Sequence, residues 1–190
     1  PPGHSEWLWR GLANGLIHTV GTDHCPFRLE GQKTMGKDDF TRIPNGGPGV
    51  ENRLELLWHH GVGKGRITPS EFVAITSTNT AKIFNIFPRK GAVTPGSDAD
   101  LVIWDPAKTR TISAKTHHQN VDTNIYEGMS VTGNAAITLS RGRVLWENDQ
   151  LRTERGTGKY IDRPCFPDYW TAQGLRNAVA ERKPVLREVP

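Results

Sequence analysis

The hydrophobic pattern of this chain changes near residue 88, and this change limits the folds that the chain can adopt. Before that point, apolar residues recur at helical spacing over residues 6–15 and 50–60, and further helices are predicted from Thr68 and over residues 80–84. After it, short runs of β-branched and aromatic residues alternate with turns. The sequence therefore predicts a helical part followed by an all-β part.

One apolar run in the first part, Leu16–Thr22, is predicted to form a short buried strand. It ends at Asp23, and a polar loop rich in Gly and Pro follows over residues 28–49. Helices around a strand indicate an α/β fold, but a closed barrel of eight β/α units needs about 250 residues. We therefore expect the first part to be the last one or two units of such a barrel.

Five short strands are predicted in the second part, with a hairpin turn at Ser140–Arg143 between the last two. They cover Leu101–Trp104, Thr109–Ile112, Val131–Gly133, Ala136–Ser140 and Val144–Trp146. Residues 147–190 carry scattered Pro, Gly and charged residues, which predicts an extended tail with a short helix near residues 169–181.

Composition argues against several classes of protein. The 24 Lys and Arg are interleaved with 20 Asp and Glu, so no basic face for nucleic acid is expected. No apolar run approaches the roughly 20 residues of a membrane span, and no signal peptide opens the chain. Two cysteines, Cys25 and Cys165, are too few for a disulfide framework. We therefore expect a cytoplasmic protein with no nucleic-acid or membrane partner.

Asp23 is the strongest candidate for chemistry, because it follows a strand and the carboxyl ends of barrel strands face the active site. An ionised carboxylate suits both metal binding and proton transfer. Aspartate after a strand is also a common turn residue, and the position alone leaves that alternative open. We expect the neighbouring His24 to make local hydrogen bonds and Cys25 to be a buried structural thiol.

The segment Pro44–Gly49 is a second candidate, because its three glycines let a ligand approach main-chain amides closely. Asn45 within it can both donate and accept hydrogen bonds. A plain surface turn explains this composition equally well. Two adjacent histidine pairs, at residues 59–60 and 117–118, cannot chelate a metal from a helix, since consecutive side chains do not face each other. We expect them at the surface or at helix ends.

Six blocks of the sequence stand in the order found in dihydropyrimidinases and hydantoinases, and the chain resembles this family of the amidohydrolase superfamily from Pro1 to about Pro167. The blocks are Thr22–Phe27, Met35–Phe40, Ile43–Glu51, Ser77–Asn85, Gly96–Asp105 and Asn124–Met129. The fifth block alone would indicate only the superfamily, whereas six ordered blocks are far more specific.

The resemblance implies a β/α (TIM-type) barrel of the metallo-dependent hydrolase kind, with a β-sandwich built from both chain ends, and commonly a homotetramer. It implies hydrolysis of the cyclic amide bond of dihydropyrimidines or hydantoins, which opens the ring to N-carbamoyl amino acids. Two Zn²⁺ ions would lower the pKa of a bound water and polarise the ring carbonyl. In the family these ions are held by four histidines, a bridging carboxylated lysine and one aspartate.

The resemblance also assigns roles to both candidate residues. Asp23 matches the family's aspartate, which ligates zinc and carries the proton to the leaving ring nitrogen. Asn45 matches the residue that binds the small cyclic ureide substrate through its main chain.

The chain departs from the family pattern in its metal ligands, because the histidines and the lysine lie upstream in the family and have no match here. We therefore expect a C-terminal portion of the enzyme. Residues 1–88 would be the last β/α units of the catalytic barrel, 89–147 strands of the β-sandwich and 148–190 a C-terminal tail. One metal ligand cannot hold a binuclear zinc site, so the 190 residues alone are predicted to be inactive.

Two alternatives to this enzyme are considered. Collapsin response mediator proteins are non-enzymatic relatives in cytoskeletal signalling, and Ile112–His117 and Asn124–Met129 resemble them as closely. Asp23 and Asn45–Gly47 favour the enzyme, because the non-enzymatic branch departs from the pattern at both places. The second alternative is another cyclic amidohydrolase, such as allantoinase or dihydroorotase, and the long match over residues 35–51 argues against it.

Overall fold

The computed structural model describes residues 3–163, 165 and 167–180. In this part of the chain four α-helices come first, a four-stranded antiparallel sheet follows in the order that the hydrophobic pattern predicts, and a fifth α-helix comes last. The helices are α1 (His4–Ala13), α2 (Arg53–Leu57), α3 (Pro69–Val73), α4 (Asn79–Ile83) and α5 (Pro167–Val179). The strands are β1 (Leu101–Thr111), β2 (Ser130–Ser140), β3 (Arg143–Glu147) and β4 (Gln150–Leu151).

Two π-helical turns extend the predicted helices. One continues α2 over Trp58–Val62, and another joins α3 to α4 over Ala74–Thr78. A capping box begins α3, in which Thr68 Oγ1 accepts a hydrogen bond from Glu71 N (3.2 Å) and Glu71 Oε2 accepts one from Thr68 N (2.6 Å). The same bond from the Thr68 N–H lowers the pKa of the Glu71 carboxyl. The helix start predicted at Thr68 is confirmed.

The prediction of a strand over Leu16–Thr22 is wrong. This segment is irregular and joins no sheet in the described part of the chain. A buried strand of a parallel sheet needs hydrogen-bonded neighbours, and none of the described strands lies beside it. Ile17 and Val20 pack against the helical core instead. The loop predicted over residues 28–49 is irregular as expected, with two short 3₁₀ turns at Lys33–Gly36 and Phe40–Arg42.

The predicted strands merge into longer ones. β1 contains the first two, with a register irregularity between Asp105 and Thr109, and β2 contains the third and fourth. The predicted hairpin is confirmed, because Ser140 pairs with Arg143. Arg141 and Gly142 between them have φ values of 49° and 78°, the left-handed pair that a type I′ turn requires.

The last part of the chain carries more structure than an extended tail. β4 adds a short fourth strand to the sheet, and the helix predicted near residues 169–181 is confirmed as α5. The β-sandwich stays a prediction, since the described residues form one sheet. No helix in the described ranges has the length and apolar character needed to cross a membrane.

One hydrophobic core joins the helices to the sheet. Its buried members are Leu12, Leu57, Ile67, Phe72 and Ile75. Trp104 of β1 reaches this core, with its ring centroid 5.3 Å from that of Trp58 and 5.6 Å from that of Phe72. Trp58 and Phe72 meet edge to face at 5.2 Å. The two parts of the chain therefore share one packed interior.

Gly133 lets β2 approach this aromatic cluster. Its φ is 95°, a left-handed conformation that L side chains rarely adopt. A Cβ at this position would lie 2.0 Å from Trp58 Cδ1. Glycine is therefore required here for two independent reasons, its backbone conformation and its lack of a side chain.

We predict that Gly133→Ala lowers the free energy of unfolding by about 2–5 kcal/mol, with about 1–2 from the left-handed backbone and about 1–3 from overpacking against Trp58. Gly128→Ala is the matched control, because Gly128 has a φ of 80° and no atom within 4 Å of an added Cβ. It should show the backbone cost alone. Urea denaturation of both variants measures the difference, and equal losses would contradict the packing argument.

Candidate functional site

Two loops that carry the predicted site residues lie side by side. They are the Asp23 loop (residues 21–27) and the Asn45 loop (residues 43–50). A parallel bridge joins His24 to Gly47, with Cys25 N donating to Gly47 O at 3.4 Å. Residues separated by more than twenty positions are thus held together, which sequence spacing alone does not reveal.

The imidazole of His24 fixes the far end of the Asn45 loop. Its Nδ1 accepts hydrogen bonds from the main-chain N–H of Gly49 (3.2 Å) and of Val50 (3.3 Å). Because Nδ1 accepts, a neutral ring carries its proton on Nε2. His24 is a hydrogen-bonding residue as predicted, but its partners lie 25 and 26 positions away and are not local.

Gly46 sets how closely the two loops approach. Its φ is 128°, and a Cβ would lie 2.4 Å from Cys25 O and 2.8 Å from Cys25 Cβ. The loops could not pack at this distance with a larger residue. The prediction of a buried thiol is wrong, because Cys25 is exposed. With no strand before it, Cys25 follows no sheet edge that could cover its side chain.

The two candidate residues themselves are exposed and available. Asp23 has a φ of 46°, a left-handed conformation that aspartate tolerates better than most residues. Within the described part of the chain its carboxylate forms no ion pair, and Asn45 makes no hydrogen bond. No group of three or more His, Cys, Asp or Glu in that part could hold a metal ion. Within that part of the chain, the Asp23 carboxylate and the Asn45 peptide groups therefore remain available to a ligand, on two loops that the His24–Gly47 bridge joins.

Lys33 is a residue of this site that sequence reasoning missed. Its Nζ donates hydrogen bonds to the carbonyl oxygens of Pro44 and of Gly46, the latter at 2.7 Å. It also lies 5.3 Å from the ring centroid of Phe27 on the Asp23 loop. A lysine 11 and 13 positions before its partners carries no periodic signal, so only the three-dimensional arrangement identifies it.

Asp122, from the connection between β1 and β2, anchors the segment between the two loops. Its Oδ1 accepts a hydrogen bond from Leu29 N (2.6 Å), and its Oδ2 accepts one from Glu30 N (3.1 Å). These two hydrogen bonds lower the pKa of the Asp122 carboxyl, and the bond from the Leu29 N–H has the larger effect. Asp122 also carried no sequence signal, because its partners lie more than ninety residues away.

A buried polar network lies next to the end of the Asn45 loop, where α2 begins. Glu55 of α2 pairs with Arg110 of β1, with Arg110 Nε 2.7 Å from Glu55 Oε2 and Arg110 Nη2 donating to Glu55 Oε1 at 2.9 Å. Asn134 Nδ2 donates to Glu55 Oε2 (3.2 Å), and Asn52 Nδ2 donates to Glu55 Oε1 (2.5 Å). Asn124 Nδ2 donates to Asn52 Oδ1 at 3.0 Å. The network fixes the start of α2, just after the loop.

Three of the four paired histidines, His59, His117 and His118, make side-chain hydrogen bonds or close polar contacts. His59, in the π-helical turn after α2, accepts a hydrogen bond from Thr132 N (3.1 Å). Burial is the main cause that lowers the pKa of His60, and the charge of His59 is the next. His117 Nδ1 lies 3.2 Å from Asn124 Nδ2 in the polar network. His118 Nδ1 lies 3.1 Å from Glu51 Oε1.

Comparison with known proteins now identifies the family. The model of the amidohydrolase family matches residues 3–145. The chain belongs to the amidohydrolase family. Among curated members, it is 50% identical over 188 residues to dihydropyrimidinase 2 of Caenorhabditis elegans, covering 99% of this chain and 35% of that protein. It is 52% identical over 168 residues to dihydropyrimidinase of Rattus norvegicus, covering 88% of this chain and 32% of that protein.

Solved structures of this amidohydrolase family agree. D-hydantoinase from Bacillus sp. AR9 superposes with a TM-score of 0.82 at 52% identity, covering 85% of this chain and 35% of that one. Dihydropyrimidinase from Brevibacillus agri superposes with a TM-score of 0.81 at 51% identity, covering 83% of this chain and 34% of that one. The predicted resemblance is confirmed, and these neighbours imply a TIM-barrel-like hydrolase fold. The chain spans about a third of the length of the relatives it matches.

We predict that Asp122→Asn lowers thermal stability of this amidohydrolase mainly above pH 4. The pKa of the Asp122 carboxyl is lowered from its ordinary value of 3.8. The stability that the ionised Asp122 carboxylate contributes is therefore fully present above about pH 4 and is lost as the pH falls through the lowered pKa. The gap in melting temperature between wild type and variant should therefore narrow from pH 6 towards about pH 2.5. A constant gap by scanning fluorimetry would contradict the assignment.

Proposed function

We propose that the protein containing these residues hydrolyses the cyclic amide bond of dihydropyrimidines or hydantoins, opening the ring to N-carbamoyl amino acids. One observation carries the proposal: the exposed Asp23 carboxylate and the free peptide groups of Asn45 lie on two loops that are held side by side. Identity of about 50% to proteins named dihydropyrimidinase and D-hydantoinase supports it.

Asp23 is proposed as both a metal ligand and the proton carrier. The amidohydrolase family is metal-dependent, which agrees with zinc, whose chemistry is to activate water and polarise the ring carbonyl. The described residues offer one carboxylate and no cluster of three ligands, so they fit one position of a binuclear site and not the whole of it. Asp23 would accept the proton of the attacking water and deliver it to the leaving ring nitrogen. The zinc count and the carboxylated lysine stay predictions.

Asn45 is proposed to bind the substrate through its main chain. A cyclic ureide presents ring C=O and N–H groups next to each other. A peptide N–H and C=O that lack partners in the described chain complement this pattern. Asn45 is exposed, so a ligand can reach it.

The substrate class follows from the same proposal. A small cyclic ureide is the substrate, and the homotetramer and the cytoplasmic location stay predictions. The retained Asp23 and Asn45–Gly47 continue to favour an enzyme over a mediator-like signalling protein.

The first test is the intact mass and zinc content of the native protein. A chain far heavier than 21.1 kDa with about two zinc ions per chain supports the proposal. Dihydrouracil and hydantoin are then the substrates to assay. A native chain of 21.1 kDa without zinc would overturn it.

We predict that the 190 residues purified alone neither bind zinc stoichiometrically nor hydrolyse dihydrouracil, because a single carboxylate cannot hold two ions. Metal analysis and a ring-opening assay followed by ultraviolet absorbance measure this. Measurable hydrolysis would refute the prediction that the chain alone is inactive.

We predict that Asp23→Asn in the complete gene product lowers kcat by about 10²–10⁴-fold, because the variant cannot accept the proton. Asp38→Asn is the control, since Asp38 is another exposed aspartate, on the loop between the two site loops. It should keep wild-type kcat. Circular dichroism checks that both variants fold, and near-normal turnover by Asp23→Asn would remove Asp23 from the mechanism.

A further inference from the structure

The Lys33 ammonium binds the Asn45 loop on both sides of Asn45. Lys33 begins the 3₁₀ turn Lys33–Gly36 and is half-buried, whereas Asn45 is exposed. The ammonium donates to the carbonyl oxygens of Pro44 and Gly46, one residue before and one residue after Asn45. Hydrogen bonds from a charged donor are stronger than neutral ones.

Planarity of the peptide bond turns this grip into a constraint on Asn45. The Pro44 carbonyl and the Asn45 N–H belong to the same rigid peptide unit, so fixing the oxygen fixes the direction of the N–H. The Gly46 carbonyl belongs to the unit after the one that carries the Asn45 carbonyl. The peptide plane of the Asn45 carbonyl therefore lies between two planes whose carbonyl oxygens are both bound to Lys33.

The ammonium also changes the electronic character of the site. A cation bound to a peptide carbonyl polarises the whole unit and makes its N–H a better donor. For the Pro44–Asn45 unit, this N–H is the group proposed to meet the substrate. The far end of the loop is held separately, by His24 at Gly49 and Val50.

We propose that Lys33 is the positioning residue that sets the Asn45 peptide groups for substrate, an inference that rests on the proposed function. Lys33 does not touch the substrate. It orders a loop with three glycines, polarises the Asn45 N–H, and through Phe27 relates this loop to the one that carries Asp23.

The test compares three variants of the complete gene product. Lys33→Met keeps the length of the side chain and removes the charge and the donors. Lys33→Arg keeps both. Lys37→Met removes a charge from an exposed lysine that directly follows the same 3₁₀ turn. The readouts are KM and kcat for dihydrouracil, zinc content, and hydrogen–deuterium exchange of peptides that contain residues 43–47.

We expect Lys33→Met to raise KM about tenfold or more with a smaller change in kcat, because binding contacts made in both ground and transition state are lost. Exchange within residues 43–47 should be faster, and zinc content should equal that of wild type. Lys33→Arg should recover most of the KM and of the protection. Lys37→Met should match wild type in every readout.

Three results would overturn the inference. Unchanged exchange in Lys33→Met would show that Lys33 does not order the loop. Faster exchange with unchanged KM would show that ordering the loop does not serve the substrate. Equal losses in Lys33→Met and Lys33→Arg, with both variants folded, would show that the ammonium charge and donors are not what matters.

Failure of the proposed function is a separate outcome. Wild-type protein that binds zinc but opens no cyclic ureide would refute the hydrolase proposal. The exchange comparison would still decide whether Lys33 orders the Asn45 loop, because it needs no turnover.

Discussion

The ion pair between buried Glu55 and Arg110 is the interaction that fixes the position of the helical part on the sheet near the candidate site. Glu55 is 3% exposed, so its charge would be strongly destabilising without its partners. Arg110, Asn134 and Asn52 satisfy its two oxygens from β1, β2 and the residue before α2. Removing one member would leave a buried charge unpaired, whereas the aromatic packing of Trp58 against Trp104 adds cohesion without such directionality.

The consequence reaches the candidate site through the chain itself. Asn52 lies three residues after Gly49, and its N–H donates to Gly49 O at 3.2 Å. Fixing α2 on the sheet also fixes the adjacent end of the Asn45 loop, and His24 holds that same end at Gly49 and Val50. The bridge at Gly47 and the hydrogen bonds from Lys33 to Pro44 and Gly46 hold the rest of the loop. Two exposed loops without regular structure are thus held by polar contacts, and Gly46 makes their close approach sterically possible.

Local patterns predicted much of the fold. Helical spacing identified α1 and the segments from residue 50 to 84, and turn chemistry identified the hairpin at Arg141–Gly142. The strand predicted over Leu16–Thr22 was wrong because this apolar run has no hydrogen-bonded neighbours and is not buried as a whole: Leu16 is 78% exposed, and only Ile17 and Val20 pack against the helical core. The expected burial of the Cys25 thiol also failed, because that expectation rested on the usual burial of free cysteines and not on a local pattern of this chain.

The sequence by itself determined the family, the order of helices and strands, and the identity of Asp23 and Asn45 as candidates, because these rest on residue types at short range and on ordered motifs. Only the tertiary structure decided which groups hold the site. Lys33, Asp122 and the Glu55–Arg110 pair act across 11 to 93 positions of sequence. The main-chain groups that Lys33 and Asp122 bind need no particular residue type, and Glu55 and Arg110 lie 55 positions apart with no periodic relation. Such contacts therefore leave no pattern in the sequence, and they exist only once the chain is folded.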